Sequence, residues 1–137
     1  MNTTGFLYQD ECSYMGGDPR LPSPEVKNGF LDPLQATLTL KTDAIQLEIG
    51  NEKAFWPRDC ISEASLMKAD WGDRGGIKLA PFLQIRVRDP EGVYERGFLI
   101  ELGFRSLYYA RVFLKRLAEA FPGVVHDQVT GLSTDLA

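Results

Sequence analysis

From Ala36 onward the hydrophobic positions recur with period two. In A-T-L-T-L-K, Leu38 and Leu40 share one side while Thr37, Thr39 and Lys41 share the other, the signature of a half-buried strand. Thr42-Asp43 predicts a tight turn. Ile45, Leu47 and Ile49 then alternate with Gln46 and Glu48, so the two runs read as a β-hairpin. Gly50-Asn51 turns the chain again, and Ala54-Phe55-Trp56 begins a third strand. Pro57 cannot donate to a ladder, so this strand is expected at an edge or with a bulge. Ile61 to Lys68 reads as a further strand. Phe82 to Asp89 follows with Leu83, Ile85 and Val87 inward and Gln84, Arg86 and Arg88 outward. Pro90-Glu91-Gly92 turns, and Tyr94 to Phe104 returns as a strand with Phe98, Ile100, Leu102 and Phe104 inside. The pattern predicts six strands, or seven if the N-terminal segment adds one. There, Phe6-Leu7-Tyr8 and Cys12 to Met15 each predict a short edge strand.

The period then changes to that of a helix. Leu107, Ala110, Phe113, Leu114, Leu117, Ala118 and Phe121 fall on one arc, with Arg111, Lys115, Arg116 and Glu119 opposite. Ser106 is the expected N-cap, and Pro122-Gly123 stops the helix. Leu114 and Leu117, at mid-stripe, are expected to be buried. Residues 1–35 read as an irregular arm, because Pro19, Pro22, Pro24 and Pro33 and several glycines exclude an inner strand there. Residues 36–121 read as the folded body. Residues 122–137 have no strong period and read as a frayed tail.

Consecutive antiparallel strands followed by one amphipathic helix give a mainly β fold, a partly open barrel of six or seven strands capped by the C-terminal helix. This arrangement resembles the pleckstrin-homology-like (PH-like) superfold. The residues carrying the resemblance are the hairpin A-T-L-T-L-K-T-D-A-I-Q-L-E-I, the segment F-W-P-R-D-C-I, and F-L-I-E-L-G-F leading into the helix. The leading Y-M-G-G-D-P resembles the opening of small bacterial domains of this kind, and the likeness spans residues 12–121. It implies a non-enzymatic module that binds a protein partner or self-associates. Members that bind phosphoinositides carry several basic residues in the loop joining the first two strands. Here Lys41-Thr42-Asp43 offers one base and one acid, and the stretch from Asp18 to Gly29 offers Arg20 and Lys27 against Asp18 and Glu25. Neither is a cation cluster fit for a multiply charged phosphate, so headgroup or membrane binding is not expected. The alternative is a calycin-like barrel holding an apolar small molecule, which needs more strands and an open interior.

Composition narrows the picture without changing it. The 137 residues are 44% hydrophobic and 25% charged, with 15 Lys and Arg, 19 Asp and Glu and a net charge of −4. An acidic chain lacks the basic footprint of a nucleic-acid binder. No apolar run is long enough to span a membrane and no leader pattern opens the chain, which predicts a cytoplasmic protein. Cys12 and Cys60 read as two reduced thiols rather than a disulfide framework. His126 is the only histidine, with no nucleophile at a recognisable spacing, and the Asp70–Asp73 loop lacks EF-hand spacing. The reading is therefore no enzyme, no metal and no cofactor.

Three groups remain as partner-binding candidates. Trp71 and Arg74 lie in the loop D-W-G-D-R-G-G, where the tryptophan either folds back onto the barrel end or anchors a partner. Arg86 and Arg88 share the outer face of one strand, with Arg96 and Glu101 expected nearby on the next. They read as a solvated surface or as a patch for an acidic partner. Tyr108 and Val112 stand one helical turn apart on the polar side of the helix, an apolar island. Either Val124-Val125 or the proline-rich arm covers it, or it is a contact surface.

Overall fold

The computed structural model describes residues 6–70 and 79–127. Among these described residues, ten strands and one α-helix follow in chain order: β1 (Phe6–Gly16), β2 (Glu25–Lys27), β3 (Phe30–Asp32), β4 (Leu34–Lys41), β5 (Ala44–Ile49), β6 (Glu52–Pro57), β7 (Ile61–Asp70), β8 (Leu79–Val87), β9 (Phe98–Gly103), α1 (Leu107–Ala120) and β10 (Val125–Asp127). Eight of these form one sheet in the order β10-β7-β8-β9-β1-β4-β5-β6, and β2-β3 form a separate hairpin. The sheet is open, with β6 and β10 at its edges. The protein is thus mainly β, with a single helix packed on a large open sheet.

Two antiparallel meanders make up six of the eight strands, with β1 between them and β10 on the β7 edge. In β4-β5-β6 the register pairs Leu38 with Leu47 and Leu47 with Ala54. In β7-β8-β9 it pairs Leu66 with Leu83 and Leu83 with Leu102. A short 3-10 turn, Arg58–Cys60, carries the chain from one to the other. It is tied at both ends, since Arg58 N–H donates to Asp43 O at 2.8 Å and Arg88 N–H donates to Cys60 O at 2.7 Å. Both meanders feed one core: Leu38, Ile45, Leu47 and Trp56 from the first, Leu66, Leu83, Ile85 and Ile100 from the second, all fully buried.

The N-terminal segment departs from expectation. It is not two short edge pieces but one strand of 11 residues, β1, lying in the middle of the sheet between β9 and β4. Tyr8, Asp10, Cys12 and Tyr14 alternate inward, and the polar Asp10 hides that alternation in the sequence. Its Oδ1 accepts from Glu11 N–H at 2.8 Å and from Arg105 at 3.3 Å, while its Oδ2 is buried without a hydrogen-bond partner. Burial, with the Asp10 and Glu11 charges behind it, pushes the Cys12 thiol up to about 12. Cys12 and Cys60 are both free and buried.

The tail also differs from its reading. Val125–Asp127 adds β10 as a parallel strand on β7, with His126 opposite Ser65. The return strand expected from Tyr94 begins only at Phe98, because Asp89 folds the intervening residues into a loop. The helix matches its reading. Ser106 accepts from Tyr109 N–H at 3.5 Å as the N-cap, and Ala110, Phe113, Leu114 and Leu117 are buried. It packs against β1, β7, β8 and β10.

Candidate functional site

The sequence turns sharply at the end of β1. Gly16 and Gly17 have φ of +117° and +122°, and an added Cβ on Gly17 would sit 2.1 Å from the carbonyl oxygen of Leu99. Only glycine passes so close to β9. The arm then folds over the end of the sheet and puts Leu21 into the core.

Asp18 fixes this fold-over. Its carboxylate is fully buried and accepts from Trp56 Nε1 at 2.9 Å, from Arg20 Nε at 2.9 Å and from the terminal guanidinium nitrogen of Arg20 at 2.7 Å. The backbone N–H of Arg20 donates at 2.9 Å as well. Tyr14 Oη receives the Asp18 N–H at 2.8 Å and donates to the Asp18 carbonyl at 3.2 Å. Burial alone pushes the Asp18 carboxyl up, but the bonds from Arg20 and Trp56 outweigh it and hold it below the usual carboxylate range. The same partnership raises Arg20. Its guanidinium lies 5.0 Å from the centre of the Phe98 ring, a cation–π contact that fastens the arm to β9.

The loop between β8 and β9 faces the arm. Asp89 accepts from Glu91, Val93 and Tyr94 N–H at 3.0, 2.7 and 2.8 Å, which curls residues 89–94. Burial works against the Asp89 charge, yet these three bonds hold its carboxyl low. Gly97, at φ +71°, lets the chain re-enter β9, where a Cβ would meet Val87 O at 2.3 Å. Tyr94 packs edge-on against Phe98 at 5.6 Å.

Between arm and loop lies a shallow, open groove of about 440 Å³. Tyr14 and Phe98 line it, Pro19 and Ser23 stand on the arm side, and Tyr94 and Leu99 on the loop side. Its surface is aromatic and aliphatic, with Tyr94 45% and Leu99 38% exposed. Asp18 also lines it, with its carboxylate held in the network with Arg20 and Trp56.

The candidates read from the sequence do not form one site. Trp71 and Arg74, with most of their glycine-rich loop, lie outside the described residues. Arg86 and Arg88 do share the outer face of β8 and are exposed. Arg86 pairs with Glu63 at 4.0 Å, and Arg88 donates to Asp59 O at 3.2 Å. Arg96, expected beside them on the returning strand, is instead in the loop, while Glu101 accepts from Gln84 at 3.0 Å. On the helix, Tyr108 is 69% exposed and touches Tyr109 edge-on. Val112 is half-buried. Val124 and Val125 pack on the core instead. Among the described residues, no group of three or more His, Cys, Asp or Glu side chains is arranged to hold a metal ion.

The groove residues were missed because each was read locally. Pro19 and Ser23 belonged to an arm defined by its prolines, and Tyr94 to a strand. The available signal was G-G-D-P-R, since paired glycines before an acid with an arginine two positions on fit a tight, buried ion pair. No family model matches the chain, and no curated protein is similar enough to it to count as a relative.

Proposed function

We propose that this chain is a PH-like, non-enzymatic interaction module that binds a segment of a partner protein in the groove between the arm and the β8–β9 loop. The order of elements supports the PH-like resemblance: two antiparallel meanders joined through β1 and β9, then one helix with its apolar face inward. The observation that carries the binding reading is the groove itself. Its walls, Tyr94, Leu99 and Pro19, are apolar side chains left at the surface at a cost in hydration. The calycin-like alternative asks for an open interior. Trp56, Tyr14, Phe113 and Phe121 are buried to within 1% and occupy that space, which favours recognition at the surface.

Among the described residues no helix is long and apolar enough to cross a membrane, and the groove presents no cluster of cations for a phosphate. The test is selection of binders from a displayed library of random peptides, on the wild-type protein and on a Tyr94→Ser, Leu99→Ser variant of matched melting behaviour. Peptides that bind the first and not the second support the reading. Failure to recover any binder, or recovery of binders indifferent to the variant, overturns it.

A further inference from the structure

The arm that lines the groove runs directly on into a second element with exposed apolar side chains. The arm leaves the groove at Ser23, and Pro24 lies 3.9 Å from where a Cβ on Gly16 would stand. The β2-β3 hairpin begins at the next residue. At a strand rise of about 3.3 Å per residue, Val26 stands within about 10 Å of Ser23. The hairpin's Asn28-Gly29 turn takes left-handed backbone at both positions, φ 53° and 82°, which suits a two-residue connection. Val26 and Leu31 are cross-strand partners and therefore share a face. They are 68% and 37% exposed. A lone two-stranded hairpin is marginal in water and gains nothing from an uncovered apolar pair. Val93, 69% exposed, stands next to the groove-lining Tyr94 in the β8–β9 loop.

Charge around this surface is mixed, with acids in excess. Asp18 and Asp89 are consumed by internal bonds, and Arg20 is held by Asp18. Glu25, Glu91 and Glu95 remain exposed on the hairpin and the loop, against Lys27, which pairs with Asp32 at 3.2 Å, and Arg96. The rim is acidic on balance, as is the chain. An acidic rim around an apolar strip complements an apolar segment with basic flanks, and it repels an anionic membrane.

We infer that the partner is an extended segment of a protein, apolar at its centre and flanked by Lys or Arg, lying across both the groove and the Val26–Leu31 face of the hairpin. The inference rests on the binding reading above and deepens it by naming the chemistry of the occupant and the second element that grips it.

The test reads the sequences of the peptides recovered in the selection and measures their binding to three proteins: wild type, Val26→Ser, and Glu91→Lys with Glu95→Lys. All three changes are at exposed positions, and matched melting curves confirm the fold. Expected are apolar centres with Lys or Arg at one or both ends. Binding should fall about tenfold in the charge-reversed protein at low salt and recover part of that loss at high salt, and Val26→Ser should weaken it severalfold. Groove-dependent peptides that are neutral or acidic at their flanks, or that ignore these variants, overturn this inference while leaving the groove as the site. Peptides indifferent to Tyr94 and Leu99 overturn the binding reading itself. Vesicles of phosphatidylcholine with phosphatidylserine provide the membrane arm, in which no co-sedimentation is expected; salt-sensitive sedimentation assigns the acidic-rimmed surface to lipid and overturns the proposal.

Discussion

The buried Asp18 carboxylate has its lone pairs met from Trp56, from the Arg20 side chain and from the Arg20 backbone. Asp18→Asn removes the charge while keeping the shape, and its amide NH2 replaces one acceptor oxygen, so the donors on that side lose their partner. Arg20 is 26% exposed and recovers some hydration, so the expected loss is nearer the low end for a broken pair, about 2–3 kcal/mol. Because the folded carboxyl is held below its unfolded value of about 3.9, its contribution is complete above that value and disappears as pH falls through the folded one. Urea unfolding of both proteins should therefore show a constant difference from pH 5 to 7 that shrinks below about pH 4. A difference that is unchanged at low pH contradicts the charged network. The glycines give a second contrast. Gly17→Ala drives a methyl into the Leu99 carbonyl and should cost about 2–4 kcal/mol, whereas Gly29→Ala meets open space and pays only for its φ, about 1–2 kcal/mol. Thermal unfolding separates them. At this scale the sequence was least informative: Asp18 and Gly17 look like ordinary loop residues until the chain brings Trp56 and Leu99 beside them.

Elements were legible wherever a period was clean. The β4-β5 hairpin, β8 and α1 stand where alternation and the helical stripe put them, down to the Ser106 cap. Leu114→Ala or Leu117→Ala should cost about 2–5 kcal/mol, since each side chain is fully buried. Lys115→Ala, on the exposed side, should change stability by no more than about 0.5 kcal/mol. Equal stabilities in denaturant would remove the helix from the core. Each misread element has a physical origin. β1 hides its pattern behind an inward Asp10, paired with an arginine 95 positions away in the chain. β10 is three residues long and exists because β7 offers an edge. Residues 94–97 look like the start of β9 because Tyr94 is a β-former leading toward Phe98, yet the Asp89 carboxylate takes the Val93 and Tyr94 amide protons and keeps the segment in the loop. Long-range partners decided the first two and a local carboxylate the third, and none of these leaves a period in the sequence.

For the whole molecule, the apolar pattern supplies one core shared by two meanders and a helix, and it also leaves apolar side chains uncovered around the groove. Arg86 and Arg88 carry ion-pair and backbone bonds on the outer face of β8, a surface worth little energetically, and Tyr108 stands separately on the helix. A partner segment that lies in the groove touches none of these. The most direct measurement is a backbone amide NMR titration of the isotope-labelled protein with a peptide recovered by selection. The account predicts shift changes confined to Gly16–Ser23, the β2-β3 hairpin and Val93–Leu99. Changes centred on Arg86 and Arg88, or on Tyr108 and Val112, with the groove amides unmoved, would contradict it.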